Sequence, residues 1–117
     1  MVLRASAEIS GKELNLRAIV DRDVSIGDAS GDLLLAFADA VVGTDNAALA
    51  AIQQRVLDTL GAEALRSAAA VGANFSRNDR IANGIGIPLE REFVTQGADL
   101  RALLDLDRFL SARNSLG

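Results

Sequence analysis

The chain has 117 residues, the length of one ordinary domain, and its net charge of −4 with dispersed cations excludes the clustered positive surface that nucleic-acid binding requires. The absence of cysteine and histidine excludes disulfides, thiol redox chemistry, most zinc sites and every imidazole base. We therefore expect no metal ion and no cofactor, because so few catalytic groups are more typical of a scaffold or binding module than of an enzyme.

Apolar residues make up 50% of the chain but aromatic residues only 3%, so the core must consist of Ala, Leu, Val and Ile. Alanine favours helix, and the composition predicts an all-α fold, a single compact bundle of about five helices over residues 1–117. The longest apolar run, residues 33–43, contains Asp39 and is too short to cross a bilayer. Residues 1–10 lack the apolar stretch of a secretory signal, so we expect a cytoplasmic protein without membrane contact.

The N-terminal segment fits two interpretations. Ser10 and Glu13 have the spacing of a capping box, which predicts a short helix that ends near Val20. Alternatively, the alternating apolar residues on either side of residues 10–12 predict a β-hairpin. We favour the helix because no strand is predicted downstream and an isolated hairpin is only marginally stable.

A turn-rich linker follows at residues 23–31, and Ser30 is placed to cap the next helix. Acidic residues flank the linker without the ordered spacing of a calcium-binding loop. We therefore expect a solvated acidic surface made by Asp21, Asp23, Asp28 and Asp32.

Two helices are predicted next. Residues 32–42 are nearly all apolar, which indicates a helix buried on most sides, and Gly43 ends it. Thr44 or Asp45 caps a second helix, and Gly61 is well placed to stop it in a left-handed conformation. The second helix carries one apolar face at the three-and-four spacing, made by Leu49, Ile52, Val56 and Leu60.

A long helix is predicted over residues 62–83. At about 100° per residue, one face collects Ala64, Leu65, Ala68, Val71, Gly72, Phe75 and Ala82. Asp79 lies within this apolar face and Asn78 at its edge. Asn74 lies further out, while Arg77 and Arg80 point away.

The chain leaves this helix at Gly84 and Gly86, and Pro88 prevents its continuation. After an extended or short helical link, residues 99–111 are predicted to form a final helix. Its apolar residues are Leu100, Leu103, Leu104 and Phe109.

Several stretches over roughly residues 30–90 resemble the C-terminal part of the alkylhydroperoxidase D-like, or carboxymuconolactone decarboxylase-like, superfamily. They are LLLAFADA at 33–40, AAAV at 68–71, FSRNDRIAN at 75–83 and GIP at 86–88. Members have a similar buried helix, then a helix ending in a Phe-Asn-x-x-Asn-Arg-x-Ala-like motif and a Gly-Val/Ile-Pro exit. The resemblance implies a helical fold that assembles through helix faces into dimers or larger oligomers.

Departures from the family pattern limit what the resemblance implies. Thiol peroxidases of the superfamily use a Cys-x-x-Cys pair with a nearby His and Glu, whereas this chain has neither Cys nor His. The two Asn positions of the family motif hold Ser76 and Asp79. The resemblance thus implies the structural half of the fold without the redox site, and without thiol peroxidase activity.

Asp79 is the candidate catalytic residue, because a carboxylate on an apolar helix face needs a cationic or N–H partner or becomes harder to ionise. One hypothesis makes it a general acid or base, with Arg77 and Arg80 binding an anionic substrate. Asn74 and Asn78 would line the same polar pocket. The other hypothesis makes Asp79 a structural acid that pairs with an arginine of a neighbouring helix or subunit, or that caps a helix N-terminus. We favour the structural role, because no second catalytic residue type lies nearby.

Three functions are consistent with these patterns. The leading hypothesis is a non-catalytic, self-associating helical domain that forms homo-oligomers. The first alternative is a small-molecule carboxylate-binding protein or decarboxylase-like enzyme, in which Asp79, Arg77 and Arg80 act on a small anionic ligand. The second alternative is a subunit that completes its fold with a cysteine-bearing partner chain.

Overall fold

The computed structural model describes residue 11 and residues 13–116. These residues form helices and no strand, so the predicted all-α class is confirmed. The α-helices are α1 (Ala29–Val42), α2 (Asn46–Leu60), α3 (Ala62–Ile85), α4 (Arg91–Gln96), α5 (Ala98–Leu103) and α6 (Arg113–Leu116). Short 3-10 helices span Leu16–Ile19, Leu106–Arg108 and Leu110–Ala112. Within the described residues, none of the helices combines the length and apolarity that spanning a membrane requires.

The predicted N-terminal helix is wrong in its start and its type. Residues 13–15 are not helical, and the 3-10 helix Leu16–Ile19 follows Asn15, whose side chain accepts a hydrogen bond from the Arg17 N–H at 3.1 Å. The Asn15 N–H donates to the Ile26 carbonyl at 2.9 Å, which ties this segment to the loop before α1. Ser10, the expected cap, lies outside the described residues, as does the first strand of the alternative hairpin.

α1 is capped by Asp28 and not by Ser30. The Asp28 carboxylate accepts a hydrogen bond from the Gly31 N–H at 2.8 Å, which places Ser30 inside the first turn. Asp32 turns back toward the linker and accepts hydrogen bonds from the Ser25 hydroxyl at 2.6 Å and the Ile26 N–H at 2.8 Å. Three of the four acids, Asp21, Asp28 and Asp32, therefore accept hydrogen bonds from nearby residues, and these local contacts were not predicted.

The core lies between the first three α-helices. Leu33 and Phe37 of α1 pack with Ile52 and Val56 of α2, and Val56 is completely buried. Around them lie the partly buried residues Ala40, Val41, Leu49, Leu60, Leu65 and Ala68. The predicted face of α2 is thereby confirmed, because all four of its apolar residues belong to this cluster.

The junctions around α2 follow from its flanking residues. Asp45, not Thr44, is the cap, and its carboxylate accepts hydrogen bonds from the Ala47 N–H at 2.9 Å and the Ala48 N–H at 3.0 Å. Gly61 ends α2 with φ of 87°, a conformation that residues with a Cβ rarely adopt, and α3 starts at the next residue.

α1 is less buried than its composition predicts. Leu33 and Phe37 are enclosed, but Leu34 is 38% exposed and Val42 is 72% exposed. The reason is geometric, since α2 and α3 cover only one side of α1 among the described residues. A helix that is nearly all apolar therefore leaves some of its apolar side chains in contact with solvent.

The predicted final helix over residues 99–111 is wrong. The chain turns after α5, where Asp105 adopts a left-handed conformation with φ of 49°. This break lets Asp107 reach the Arg101 guanidinium, with Asp107 Oδ1 and Arg101 Nε 2.8 Å apart. Residues six apart point about 120° away from each other on a continuous α-helix, so this ion pair requires the turn.

Candidate functional site

The first half of α3 packs into the core, whereas its second half carries the predicted polar cluster into solvent. The helix has 24 residues and is about 36 Å long. Val41, near the end of α1, lies against α3 at Gly72, where a methyl group in place of the glycine hydrogen would lie 3.7 Å from Val41 Cγ1. From about this point onward the apolar side chains of α3 are exposed, with Val71 at 57% and Phe75 at 62%.

The polar residues of α3 bind to one another. The Arg77 guanidinium donates from Nη2 to the Asn74 side-chain oxygen at 2.9 Å and to the Asn78 side-chain oxygen at 3.5 Å. All three side chains are exposed, and they lie along one helix. A guanidinium already held by two amide oxygens on a convex surface offers an anion no enclosed pocket.

Asp79 lies on the predicted apolar face, but this face is open to solvent at that position and the carboxylate is exposed. Among the described residues no hydrogen bond or ion pair joins Asp79 to Arg77 or Arg80. The structure thus brings Arg77 together with Asn74 and Asn78, and leaves Asp79 and Arg80 outside that group. Within residues 13–116, therefore, no general acid and anion clamp converge on one point at α3.

Asp79 instead marks one end of an apolar groove between α1 and α3, which we name the α1–α3 groove. Its volume is about 590 Å³. The residues that line it are Leu34, Phe37, Ala38, Val41, Val42, Leu60, Ala64, Ser67, Ala68, Val71, Gly72, Phe75, Ser76 and Asp79. Small residues in its floor let another helix approach the backbone closely, while Val71 and Phe75 stand exposed along its rim.

Sequence reasoning missed a second polar group, on the opposite side of α1. The Arg22 guanidinium binds both carboxylate oxygens of Asp39, through Nε to Oδ2 and through Nη2 to Oδ1 at 2.7 Å, and its Nη1 donates to the Ala18 carbonyl. We name this set the Arg22–Asp39 clasp. It attaches the loop after the first 3-10 helix to α1, next to the buried Ala18.

The electrostatics of the clasp follow from these hydrogen bonds. The bonds from Arg22 lower the pKa of Asp39 below its usual range, and partial burial opposes the shift. Asp39 in turn raises the pKa of Arg22. The Ser25 hydroxyl, and next the Ile26 N–H, lower the pKa of Asp32. Asp39 interrupts an otherwise apolar run, and that interruption was the one available signal of a partner.

The clasp borders an open cleft of about 820 Å³. The cleft carries the carboxylates of Asp23, Asp32, Asp39 and Asp45. Asp32, Asp39 and Asp45 are already engaged by N–H or guanidinium donors. Among the described residues no cluster of three or more His, Cys, Asp or Glu side chains is placed to hold a metal ion.

A third concavity, of about 560 Å³, lies in the C-terminal segment. Its walls are largely apolar and include Ile87, Phe93 and Phe109, while Arg101 at its edge is committed to Asp107 and to the Val94 carbonyl at 3.1 Å. The Leu89 N–H donates to Ser115 Oγ at 2.7 Å, which folds the end of the described chain back over the residues that follow α3.

No protein-family model, no curated protein and no solved structure matches this chain.

Proposed function

We propose that the chain is a non-catalytic, self-associating helical domain, as a redox-inactive relative of the alkylhydroperoxidase D-like superfamily would be. Two copies dock through the α1–α3 groove and the exposed apolar side chains of α3. The observation that carries the proposal is the amount of surface that a single copy leaves uncovered.

The chain exposes more surface than its mass requires. Its accessible surface is 8472 Å² at 12.2 kDa, against about 6,100 Å² for a compact monomer of that mass. As an upper limit, we subtract for each of the twelve residues outside the described part the accessible surface of a residue in an unfolded chain, about 150 Å². The accessible surface that remains for the described residues still exceeds that of a compact monomer of their mass by about 1,100 Å².

Much of this surface is apolar and continuous with the groove. Along α3, Val71, Phe75, Ile81 and Ile85 are all more than half exposed, and Val42 extends the patch onto α1. Contiguous exposed apolar patches on soluble chains mark interaction sites. The patch runs along α3 beyond the groove itself, further than a small molecule seated in the groove would reach, so a macromolecular occupant fits it better.

A second copy of the chain suits this surface. A stable interface covers about 800 Å² on each partner, which the excess of about 1,100 Å² can supply. A two-fold pairing brings the same patch from both copies together, so each covers the apolar side chains of the other. Asn74, Arg77 and Asn78 already satisfy one another beside the patch, as the polar rim of an interface requires.

The lack of a converging catalytic set on α3 supports the non-catalytic part of the proposal. Within the described part of the chain, no hydrogen bond or ion pair links Asp79, Arg80 and Arg77 to one another, and the Arg77 cluster is exposed on one helix. The polar residues that sequence reasoning selected thus fit a solvated rim better than a reaction centre.

A matched pair of substitutions on α3 tests the proposed surface. Val71→Glu places a charge in the groove, whereas Ala69→Glu places one at an exposed position of the same helix that lies outside both the groove lining and the apolar patch. We expect Val71→Glu to weaken self-association at least tenfold, about 1.4 kcal/mol, as measured by sedimentation velocity against protein concentration. Ala69→Glu is expected to change it by a smaller factor.

Both variants must first give the helical circular dichroism and thermal melt of the parent chain. Equal weakening by the two substitutions would place the interface elsewhere on α3. A parent chain that stays monomeric at every concentration would overturn the proposed function altogether.

A further inference from the structure

Asp79 is the one ionisable side chain that lines the α1–α3 groove within the described part of the chain. α1 and α2 contribute only apolar side chains to the groove, and α3 adds two serines besides Asp79. A second copy that covers the groove therefore removes water from a carboxylate whose surroundings are almost wholly apolar.

Charged groups near Asp79 do not compensate for this loss of water. On α3 the neighbours three and four positions away are Phe75, Ser76, Ala82 and Asn83, none of them a cation. The flanking arginines do not pair with it either, because Arg77 is bound by Asn74 and Asn78, and Arg80 projects about 100° around the helix.

In the part of the chain that the structure describes, the elements packed against α3 do not pair a cation with Asp79. On α1 the ionised groups are Asp32 and Asp39, which belong to the cleft on the other side of that helix, where Asp39 binds Arg22. The ionised groups of α2 are Arg55 and Asp58: Asp58 accepts a hydrogen bond from Gln54, and no ion pair joins Arg55 to Asp79 among the described residues. In the C-terminal segment, Arg113 precedes Asn114, which lies against Gly86, and no ion pair joins Arg113 to Asp79 among the described residues.

From this arrangement we infer that self-association through the groove takes up a proton at Asp79, so that the assembly is tighter at acidic pH. The inference rests on the proposed function. Covering a carboxylate without a counter-charge disfavours its ionised form, so assembly favours the neutral acid. The assembly then binds more protons than the separate chains, and its association constant rises as pH falls.

The composition makes this dependence easy to assign. The chain has no histidine and no cysteine, so no other side chain with an ordinary pKa titrates between about pH 5.5 and pH 7.5. The pKa values of Asp32 and Asp39 are lowered by their hydrogen bonds, which keeps both carboxylates ionised across this interval. A change of association within it therefore reports on a group that assembly itself perturbs.

The test is the dissociation constant of the assembly at about pH 5.5 and about pH 7.5, measured by sedimentation at fixed ionic strength. One proton per copy changes the constant of a two-fold dimer by up to about a hundredfold per pH unit, and we expect at least tenfold tighter association at the lower pH. Asp79→Asn should associate equally well at both pH values, and at least as tightly as the parent chain does at the lower one. Glu63→Gln, which neutralises an acid on α3 outside the groove, should keep the parent's pH dependence.

The inference is overturned if the parent chain dimerises equally well at both pH values, and the proposed function then stands alone. Retention of the pH dependence in Asp79→Asn overturns it as well. A chain that is monomeric under both conditions overturns the proposed function and the inference with it.

Discussion

Replacing Asp39 by Asn should loosen the attachment of the N-terminal loop to α1. The substitution keeps the shape of the side chain but removes the charge that the Arg22 guanidinium binds through two nitrogen atoms. Arg22 then retains its hydrogen bond to the Ala18 carbonyl, so the loop is weakened and not released.

The expected loss of stability is modest because the clasp is partly exposed. The Arg22 and Asp39 side chains are 42% and 48% exposed, so solvent screens much of their attraction. Exposed ion pairs contribute about 0.2–1 kcal/mol, and the two-point geometry places this one near the upper end. A loss of about 0.5–1 kcal/mol lowers the melting temperature of a domain this size by about 2–6 °C.

Thermal unfolding followed by circular dichroism measures this loss. Asp58→Asn is the matched control, because Asp58 is exposed and accepts only the Gln54 amide at 2.8 Å, and we expect its effect to stay within about 0.5 kcal/mol. High salt should shrink the difference between parent chain and Asp39→Asn. Equal melting of Asp39→Asn and Asp58→Asn would refute the role of the clasp.

The Arg22–Asp39 clasp also determines how the stability of the chain changes with pH. The pKa of Asp39 is lowered in the folded chain, so its stabilising effect is fully present above the unfolded value of about 3.9. That effect is lost as the pH falls through the lowered folded value. The melting temperatures of the parent chain and Asp39→Asn should therefore converge in strong acid.

Two further pairs of substitutions test how the helices begin and end. Gly84→Ala should stabilise the chain by about 0.5–1 kcal/mol, since a methyl group there meets no atom within 4 Å, whereas Gly86→Ala should destabilise it by about 1 kcal/mol because φ is 68°. Denaturant unfolding measures the change in the free energy of unfolding for both variants. A change of the same sign in both would contradict the placement of the end of α3 at Gly86. Asp28→Ala should cost about 1 kcal/mol by removing the cap of α1, while Ser30→Ala stays within about 0.5 kcal/mol. A larger loss of stability for Ser30→Ala than for Asp28→Ala in the same assay would indicate that Ser30 caps α1.

The parts of the fold that sequence reasoning predicted well are those that depend on local rules. α2 has apolar residues at the three-and-four spacing between Asp45 and Gly61, and its bounds and buried face are as predicted. The end of α3 was predicted within two residues, because glycine and proline commonly end helices and Gly86 and Pro88 lie there. Periodicity and turn chemistry act over a few residues, so they can be read directly from the sequence.

The errors arose where distant residues decide the structure. The final helix breaks at Asp105 so that Asp107 can reach Arg101, a pairing that helical periodicity does not reveal. Asp39 finds Arg22 seventeen positions earlier in a loop, beyond any repeating pattern. Such contacts depend on how the chain folds back on itself.

The candidate site shows the same division between local and distant information. Helical spacing correctly places Asp79 on the face that carries Phe75, yet it does not show that this face is left uncovered in the second half of α3. The interaction of Arg77 with Asn74 and Asn78 is local, but the sequence suggested an anion site in its place. Whether a face is covered depends on where α1 ends, which is a property of the folded chain.

The solution mass of the chain, measured by light scattering after gel filtration over a series of protein concentrations, tests the central claim most directly. Self-association through the α1–α3 groove predicts twice the mass of the 12.2 kDa chain, or a higher multiple, with dissociation on dilution. A constant mass of 12.2 kDa at every concentration would contradict it.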